Sequence, residues 1–202
     1  MKLEGLNVSE KNKTFFWLPP KCASTSLSWV LSYFEFSSIA IDVDTNEIQR
    51  ISLNQTHYGH SMIYPSNYSE LTFVCAVRNP YHRTLSMYKS HSKDLSVNNF
   101  ENFINEKLLK NENLNTLKIT GLFTKKTPDY LIRTENLYED LIKIPFISES
   151  ELNTSGILKT FCLKKMNMSF NQLNHEEYLT PRIKETIYEI FSEQFELFGY
   201  EK

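Results

Sequence analysis

The chain has little excess of either charge and few cysteines. Lysine and arginine together number 22, aspartate and glutamate 24, and the formal net charge is −2 at pH 7. This balance argues against a nucleic-acid binder that depends on bulk electrostatic attraction. The three cysteines, Cys22, Cys75 and Cys162, have neither the spacing of metal ligands nor the pattern of a disulfide framework. Domains held together by zinc or by several disulfides are therefore excluded.

Long hydrophobic runs are also missing. No segment approaches the roughly 20 apolar residues of a membrane span, and Met1–Lys13 is polar and charged, without the apolar core of a signal peptide. We therefore expect no membrane span and a cytoplasmic or otherwise soluble protein. The sequence contains no repeats and no low-complexity linker. Its 202 residues, of which 41% are hydrophobic, predict one domain over 1–202 with a loosely ordered leader over 1–13.

Apolar residues recur with the periods of strands and helices in alternation. The predicted strands are 14–18, 71–77 and 130–133, and the predicted helices are 24–34, 81–92, 98–110, 135–142 and 180–198; Trp17 and Trp29 are both expected in the core. The region 36–70 is less regular. Strands that alternate with helices indicate an α/β fold with a central parallel sheet flanked by helices, and ligands bind such sheets at the carboxyl ends of the strands.

The first strand runs into a loop of small and hydroxylated residues, PPKCASTS at 19–26. A helix N-terminus directly after a strand attracts anions through its free N–H groups, and Lys21 adds a full positive charge. The hydroxyls of Ser24, Thr25 and Ser26 can cap the helix or donate to a phosphate. The nucleoside-triphosphate loop reads GxxxxGK[ST], whereas here the lysine opens the loop and glycine is absent. The segment predicts a phosphate-binding loop of another kind, with an ordinary capped helix and a surface lysine as the alternative.

A second motif, RNPYHRTLSMY at 78–88, follows the strand 71–77. Arg78 offers a planar, permanently charged fork that suits a phosphate. Pro80 favours the first turn of a helix, and Ser86 lies on that helix eight residues after Arg78. This separation allows the Ser86 hydroxyl to return to the same phosphate. Arg83 adds a further positive charge to this part of the chain.

Together, these two motifs resemble those of sulfotransferases that use 3′-phosphoadenosine 5′-phosphosulfate (PAPS), most of all the carbohydrate branch. Segment 21–26 is similar to the family's 5′-phosphosulfate loop and 78–88 to its 3′-phosphate motif, although Asn79 stands where the family usually has Asp. The likeness runs from about Phe15 to Tyr200. It implies the P-loop-like sulfotransferase fold and PAPS as co-substrate, with no metal. The implied cofactor-binding residues are Lys21, Cys22, Ala23, Ser24, Thr25, Ser26, Arg78 and Ser86.

The resemblance also implies a catalytic base. Segment Thr56–Ser61 is similar to the Gly-His segment of carbohydrate sulfotransferases, which implies that His60 takes the proton of the acceptor hydroxyl, with His57 as the alternative. Lys21 is implied to neutralise the bridging oxygen of the departing phosphate. The other histidines, His82, His91 and His175, are expected at the surface or at helix caps.

Three alternatives remain open from the sequence. The acceptor is expected to be a hydroxyl of a glycan, but a phenolic small molecule or a peptide tyrosine would use the same chemistry. A P-loop-type nucleotide kinase would need magnesium and a glycine-rich loop. A non-catalytic nucleotide-binding module would bind the nucleotide without turnover.

Overall fold

The computed structural model describes residues 3–42, 48–51, 70–108, 126–170 and 175–202. These residues form a six-stranded sheet with the strand order β4-β3-β1-β2-β5-β6. Its strands are β1 (Leu3–Ser9), β2 (Thr14–Trp17), β3 (Ser37–Asp42), β4 (Ile48–Ile51), β5 (Thr72–Val77) and β6 (Tyr130–Arg133).

The sheet is half parallel and half antiparallel. Strands β2, β5 and β6 run parallel to one another, whereas β1 is antiparallel to both β2 and β3, and β4 is antiparallel to β3. The α/β fold is therefore confirmed, but the sheet is not parallel throughout. The short 10–13 connection explains the difference, because antiparallel neighbours need only a tight turn while parallel ones need a long crossover. Residues 3–9, predicted as part of a loosely ordered leader, instead form β1.

Helices precede or follow most of these strands in the described ranges. They are α1 (Ser24–Tyr33), α2 (Pro80–His91), α3 (Val97–Phe103), α4 (Leu137–Leu141), α5 (Pro145–Ser148), α6 (Glu151–Thr154), α7 (Ile157–Phe170), α8 (His175–Tyr178) and α9 (Pro181–Phe198). A π-helical turn, Ile104–Leu108, extends α3, and a 3-10 turn, Thr134–Asn136, leads into α4. Proline opens both α2 and α9, where its missing N–H costs nothing.

The parallel strands bury both faces, as their continuous apolar sequences require. Alternate residues such as Phe16, Val74 and Ile132 pack in one cluster with α1, α4 and α7. The residues between them, among them Phe15 and Phe73, pack with Trp17 and with Phe198 of α9 in another cluster. Helices therefore cover both faces of this half of the sheet, as predicted.

One core prediction was wrong. Trp17 is 1% exposed, but Trp29 is 43% exposed and stacks on Phe161 of α7 with ring centroids 4.0 Å apart. The buried stripe of α1 contains Leu27, Val30 and Leu31. At 100° per residue, position 29 points away from that stripe. Among the described residues, no helix is long and apolar enough to cross a membrane.

Candidate anion-binding site

The candidate site lies at the edge of the sheet where β2, β5 and β6 end. Trp17 is in register with Cys75, and Val77 with Arg133, so the three strands finish close to one another. The segment after β2 is the hydroxyl-rich loop, the segment after β5 starts at Arg78, and the segment after β6 contains Glu135. Parallel sheets bind ligands at this edge because several loops converge there.

The loop after β2 has the backbone of an anion cradle. Lys21 and Ala23 have φ of 65° and 57°, a left-handed conformation that side chains disfavour. Such residues turn successive N–H groups towards one concave side. Ala23 is the N-cap of α1 and offers no capping side chain, and the first helical bond runs from Leu27 N–H to Ala23 C=O at 2.9 Å. The N–H groups of residues 24–26, which are predicted to bind a phosphate, thus have no intrahelical acceptor and point out of the N-terminus of α1.

Cys22 anchors this loop to the hydrophobic core. Its side chain is fully buried in the core cluster beside Leu27, and its N–H donates to the Pro19 carbonyl at 3.2 Å. Burial raises the pKa of the Cys22 thiol. The thiol is therefore a core group, and the role of Cys22 in binding a cofactor stays a prediction. Cys75, within β5, is also fully buried.

Two cations meet at this loop. Arg78 donates from Nη1 to the carbonyl oxygen of Lys21 at 3.3 Å. Burial, and then the charge of Arg78, lowers the pKa of Lys21. Burial also lowers the pKa of Arg78, although Cys22 and Glu135 oppose this change. Positive groups held together at low solvation gain free energy when an anion joins them.

Arg83 supports the loop instead of adding a charge at its surface. The side chain is 3% exposed; Nε donates to the Pro20 carbonyl at 3.2 Å and Nη1 donates to Gln194 Oε1 at 2.8 Å. Gln194 belongs to α9 and Arg83 to α2, so one guanidinium joins both helices to the loop. A buried guanidinium needs several acceptors at fixed positions, and the loop carbonyl is one of them.

Glu135 joins the ends of β5 and β6. It accepts hydrogen bonds from the Asn79 N–H at 2.9 Å and the Tyr200 hydroxyl at 3.1 Å, and its Oε1 lies 3.8 Å from His82 Nδ1. Burial raises the pKa of Glu135, but the contacts with His82, Asn79 and Tyr200 outweigh burial and hold it below its usual value. The Asn79 side chain accepts from the Tyr81 N–H at 2.9 Å, so asparagine serves here as the N-cap of α2.

Two histidines, both partly exposed as predicted, also lie close to each other at this site. The rings of His82 and His175 are 5.1 Å apart at 69°. Burial, followed by the charges of His82, Lys89 and Arg78, lowers the pKa of His175. Burial and then Arg78 lower the pKa of Lys89. All four are therefore within electrostatic reach of one another.

The spacing along α2 contained part of this signal. Positions 82, 86 and 89 recur at intervals of four and three residues, which put side chains on one face of a helix, and Arg78 lies just before that helix begins. Ser86 therefore lies on the same face of α2 as His82 and Lys89, and its contact with the phosphate held by Arg78 stays a prediction. His175 comes from the distant α8, and no local pattern could have connected it with this face.

The structure thus brings together Lys21, the loop up to Ser26 and Arg78. His57 and His60, on which the predicted base depends, lie outside the described residues. The described ranges hold no group of histidine, cysteine, aspartate and glutamate side chains that could bind a metal ion. No family model, curated protein or solved structure matches the chain. Fold and site together define an α/β protein with a cationic loop at the carboxyl edge of its parallel strands.

Proposed function

We propose that the protein is a PAPS-dependent sulfotransferase that sulfates a hydroxyl acceptor, most favourably a carbohydrate. One observation carries the proposal: Lys21 and Arg78, from the ends of two adjacent parallel strands, meet beside the N-terminus of α1. PAPS carries anionic groups at both its 5′ and its 3′ position. Two cations from two loops, together with the N–H groups of a helix end, suit such a ligand.

The proposed roles follow from the position of each group. Lys21 and the loop N–H groups hold the 5′-phosphosulfate, with Ser24, Thr25 and Ser26 as hydroxyl donors. Arg78 and Ser86 hold the 3′-phosphate. Cys22 and Arg83 keep the loop in shape from beneath. This assignment includes the sulfotransferase fold, for which the parallel half of the sheet and its helix-covered faces are the support.

The proposed reaction is an in-line transfer. The acceptor oxygen forms a bond to sulfur while the bond from sulfur to the bridging oxygen breaks, and that electron pair stays on the 5′-phosphate of the product, 3′-phosphoadenosine 5′-phosphate (PAP). Negative charge grows on the bridging oxygen, where Lys21 neutralises it. The acceptor proton passes to a base, for which His60 is proposed. By analogy with phosphoryl transfer, positioning and electrostatic stabilisation supply most of the catalysis.

The base assignment predicts a separation of binding from chemistry. His60→Ala is expected to abolish sulfuryl transfer and leave PAP binding unchanged, because the base touches the acceptor and not the nucleotide. Turnover from PAPS and calorimetric affinity for PAP measure the two effects. His57→Ala is the matched comparison. If the His60 variant kept full turnover and the His57 variant lost it, His57 would be the general base.

Calorimetric titration of the protein with PAP, ATP and 5′-adenosine monophosphate (5′-AMP), with and without magnesium, tests the function itself. We expect tight, magnesium-independent binding of PAP over the other two. In Arg78→Ala, PAP should lose far more affinity than 5′-AMP, because only PAP has a 3′-phosphate, and truncating such a charged contact typically costs about 2–5 kcal/mol. Arg182→Ala, an exposed arginine on α9, is the control.

The other outcomes identify the alternatives. Preference for ATP with magnesium would replace the proposal with a nucleotide kinase. Equal losses for PAP and 5′-AMP in Arg78→Ala would remove the 3′-phosphate role. Tight PAP binding without turnover on glycans or phenols would indicate a nucleotide-binding module.

A further inference from the structure

We propose that the paired rings of His82 and His175, together with Lys89 and Arg78, form a second, proton-coupled part of the anion site, which takes up a dianionic phosphate group together with a proton. The identification of this group as the 3′-phosphate of PAP rests on the proposed function. The proton-coupled binding of a dianion does not, because it depends only on the histidine pair and the cations that act on it.

The geometry brings these groups from separate elements to one place. His82 and Lys89 lie seven residues, or two helical turns, apart on α2 and share a face. His175 begins α8 and places its ring 5.1 Å from that of His82. Both rings are partly buried, and so is Lys89. A site that recognises a compact dianion needs this convergence of donors from more than one direction.

Positive charge predominates among the groups that face the histidine pair. Arg78, directly after β5, and Lys89 of α2 act on His175, and Lys21 lies next to Arg78. From the β6 side, the opposing group is Glu135, 3.8 Å from His82 Nδ1. The other groups contribute little negative charge. The Tyr200 hydroxyl donates to Glu135 and stays neutral, because burial raises its pKa. Glu176 and Glu177 on α8 are exposed, so that solvent screens their charge. A single carboxylate, that of Glu135, cannot balance these positive charges, and a bound dianion would supply the missing negative charge.

The direction of the proton coupling follows from linkage. Burial and the neighbouring cations keep the pKa of His175 below its usual value in the free protein. A bound dianion offsets those cations and favours the imidazolium, so binding takes up a proton and affinity rises as the pH falls. Each unit by which binding raises that pKa adds up to about tenfold in affinity at low pH. The same lowered pKa makes the free protein less stable at acidic pH, where the unfolded chain binds the proton more readily.

Sulfate is the decisive probe because it keeps its charge of −2 between pH of about 6 and about 8. A phosphoester does not, because its second pKa is about 6. The full-length protein is titrated with sulfate and with PAP at pH of about 6 and about 8, a range that spans histidine titration, in two buffers of different ionisation enthalpy. We expect proton uptake and sulfate binding that is several-fold tighter at the lower pH, because a rise of about one pKa unit has its full, roughly tenfold effect only well below both pKa values. His175→Gln should lose both effects. His91→Gln, which alters an exposed histidine at the end of α2, should keep both.

Each outcome decides between the two proposals. Proton uptake that is unchanged in both His175→Gln and His82→Gln overturns the inference, even if PAP binds tightly and the proposed function stands. Histidine-dependent sulfate binding without any preference for PAP overturns the function and supports the inference. Proton NMR titration of the histidine rings in the unmodified protein gives a reading that does not depend on a variant folding: addition of sulfate should raise the pKa of His175, and an unchanged value contradicts the inference.

Discussion

Lys21→Met is expected to slow the conversion of PAPS to PAP by on the order of a hundredfold or more, the usual cost of removing one donor from a developing anion. Methionine keeps an unbranched side chain, one atom shorter than that of lysine, and removes its charge. The lysine has most effect when the bond to the bridging oxygen breaks, because negative charge on that oxygen is then greatest. Affinity for the product PAP should therefore fall much less than the rate.

The measurement compares the maximal rate of PAP release with the calorimetric affinity for PAP, with water or a glycan as acceptor. Lys21→Arg retains the charge and should recover part of the rate. Lys11→Met is the control, because Lys11 is exposed and its Nζ pairs with Glu35 at 2.7 Å, an arrangement of small energetic effect. If rate and affinity fell by the same factor, Lys21 would serve binding alone.

Sequence patterns were sufficient where structure is locally determined. The predicted strand 71–77 is observed as Thr72–Val77, and the predicted helix 180–198 as Pro181–Phe198. In the helix, Thr180 caps the N-terminus and Gly199, with φ of 67°, ends it in a left-handed turn. These signals lie within a few residues of the element they define, so a sequence alone contains them.

The antiparallel half of the sheet was not predictable in the same way. Segment 3–9 is only seven residues long and mixes polar with apolar residues, and its status as a strand depends on pairing with both β2 and β3. Strand preference follows the neighbours more than the residue types themselves. The less regular region 36–70 likewise contains β3 and β4, whose alignment is set by β1.

In the candidate site, too, only the features with a local sequence signal could be predicted. Lys21 and Arg78 could be proposed from two local motifs, and the structure brings them together. The contacts of Arg83 and of His175 could not be predicted from local motifs. Arg83 binds Gln194, 111 residues away in the sequence, and His175 contacts His82 from another helix. Side chains whose partners are distant in sequence have no local signature.

Arg83→Met is expected to destabilise the protein by about 2–4 kcal/mol, because it leaves the buried Gln194 amide and the Pro20 carbonyl without their charged donor. At about 2–4 °C per kcal/mol for a chain of this size, the midpoint of thermal unfolding should fall by roughly 4–16 °C. Urea unfolding and a thermal scan measure the change. Arg182→Met, an exposed arginine on α9, should have little effect on either.

A second substitution separates the stability of the core from the shape of the loop. Gln194→Met combined with Arg83→Met removes both polar partners, and replacing a buried pair with apolar groups is often far less costly than breaking it. The double variant should therefore regain much of the stability. It should not regain affinity for PAP or sulfate, because the Pro20 carbonyl still lacks the guanidinium that holds the loop beside Lys21 and Arg78. Normal anion affinity in the double variant would show that the loop keeps its conformation without Arg83, and that this arginine serves the core alone.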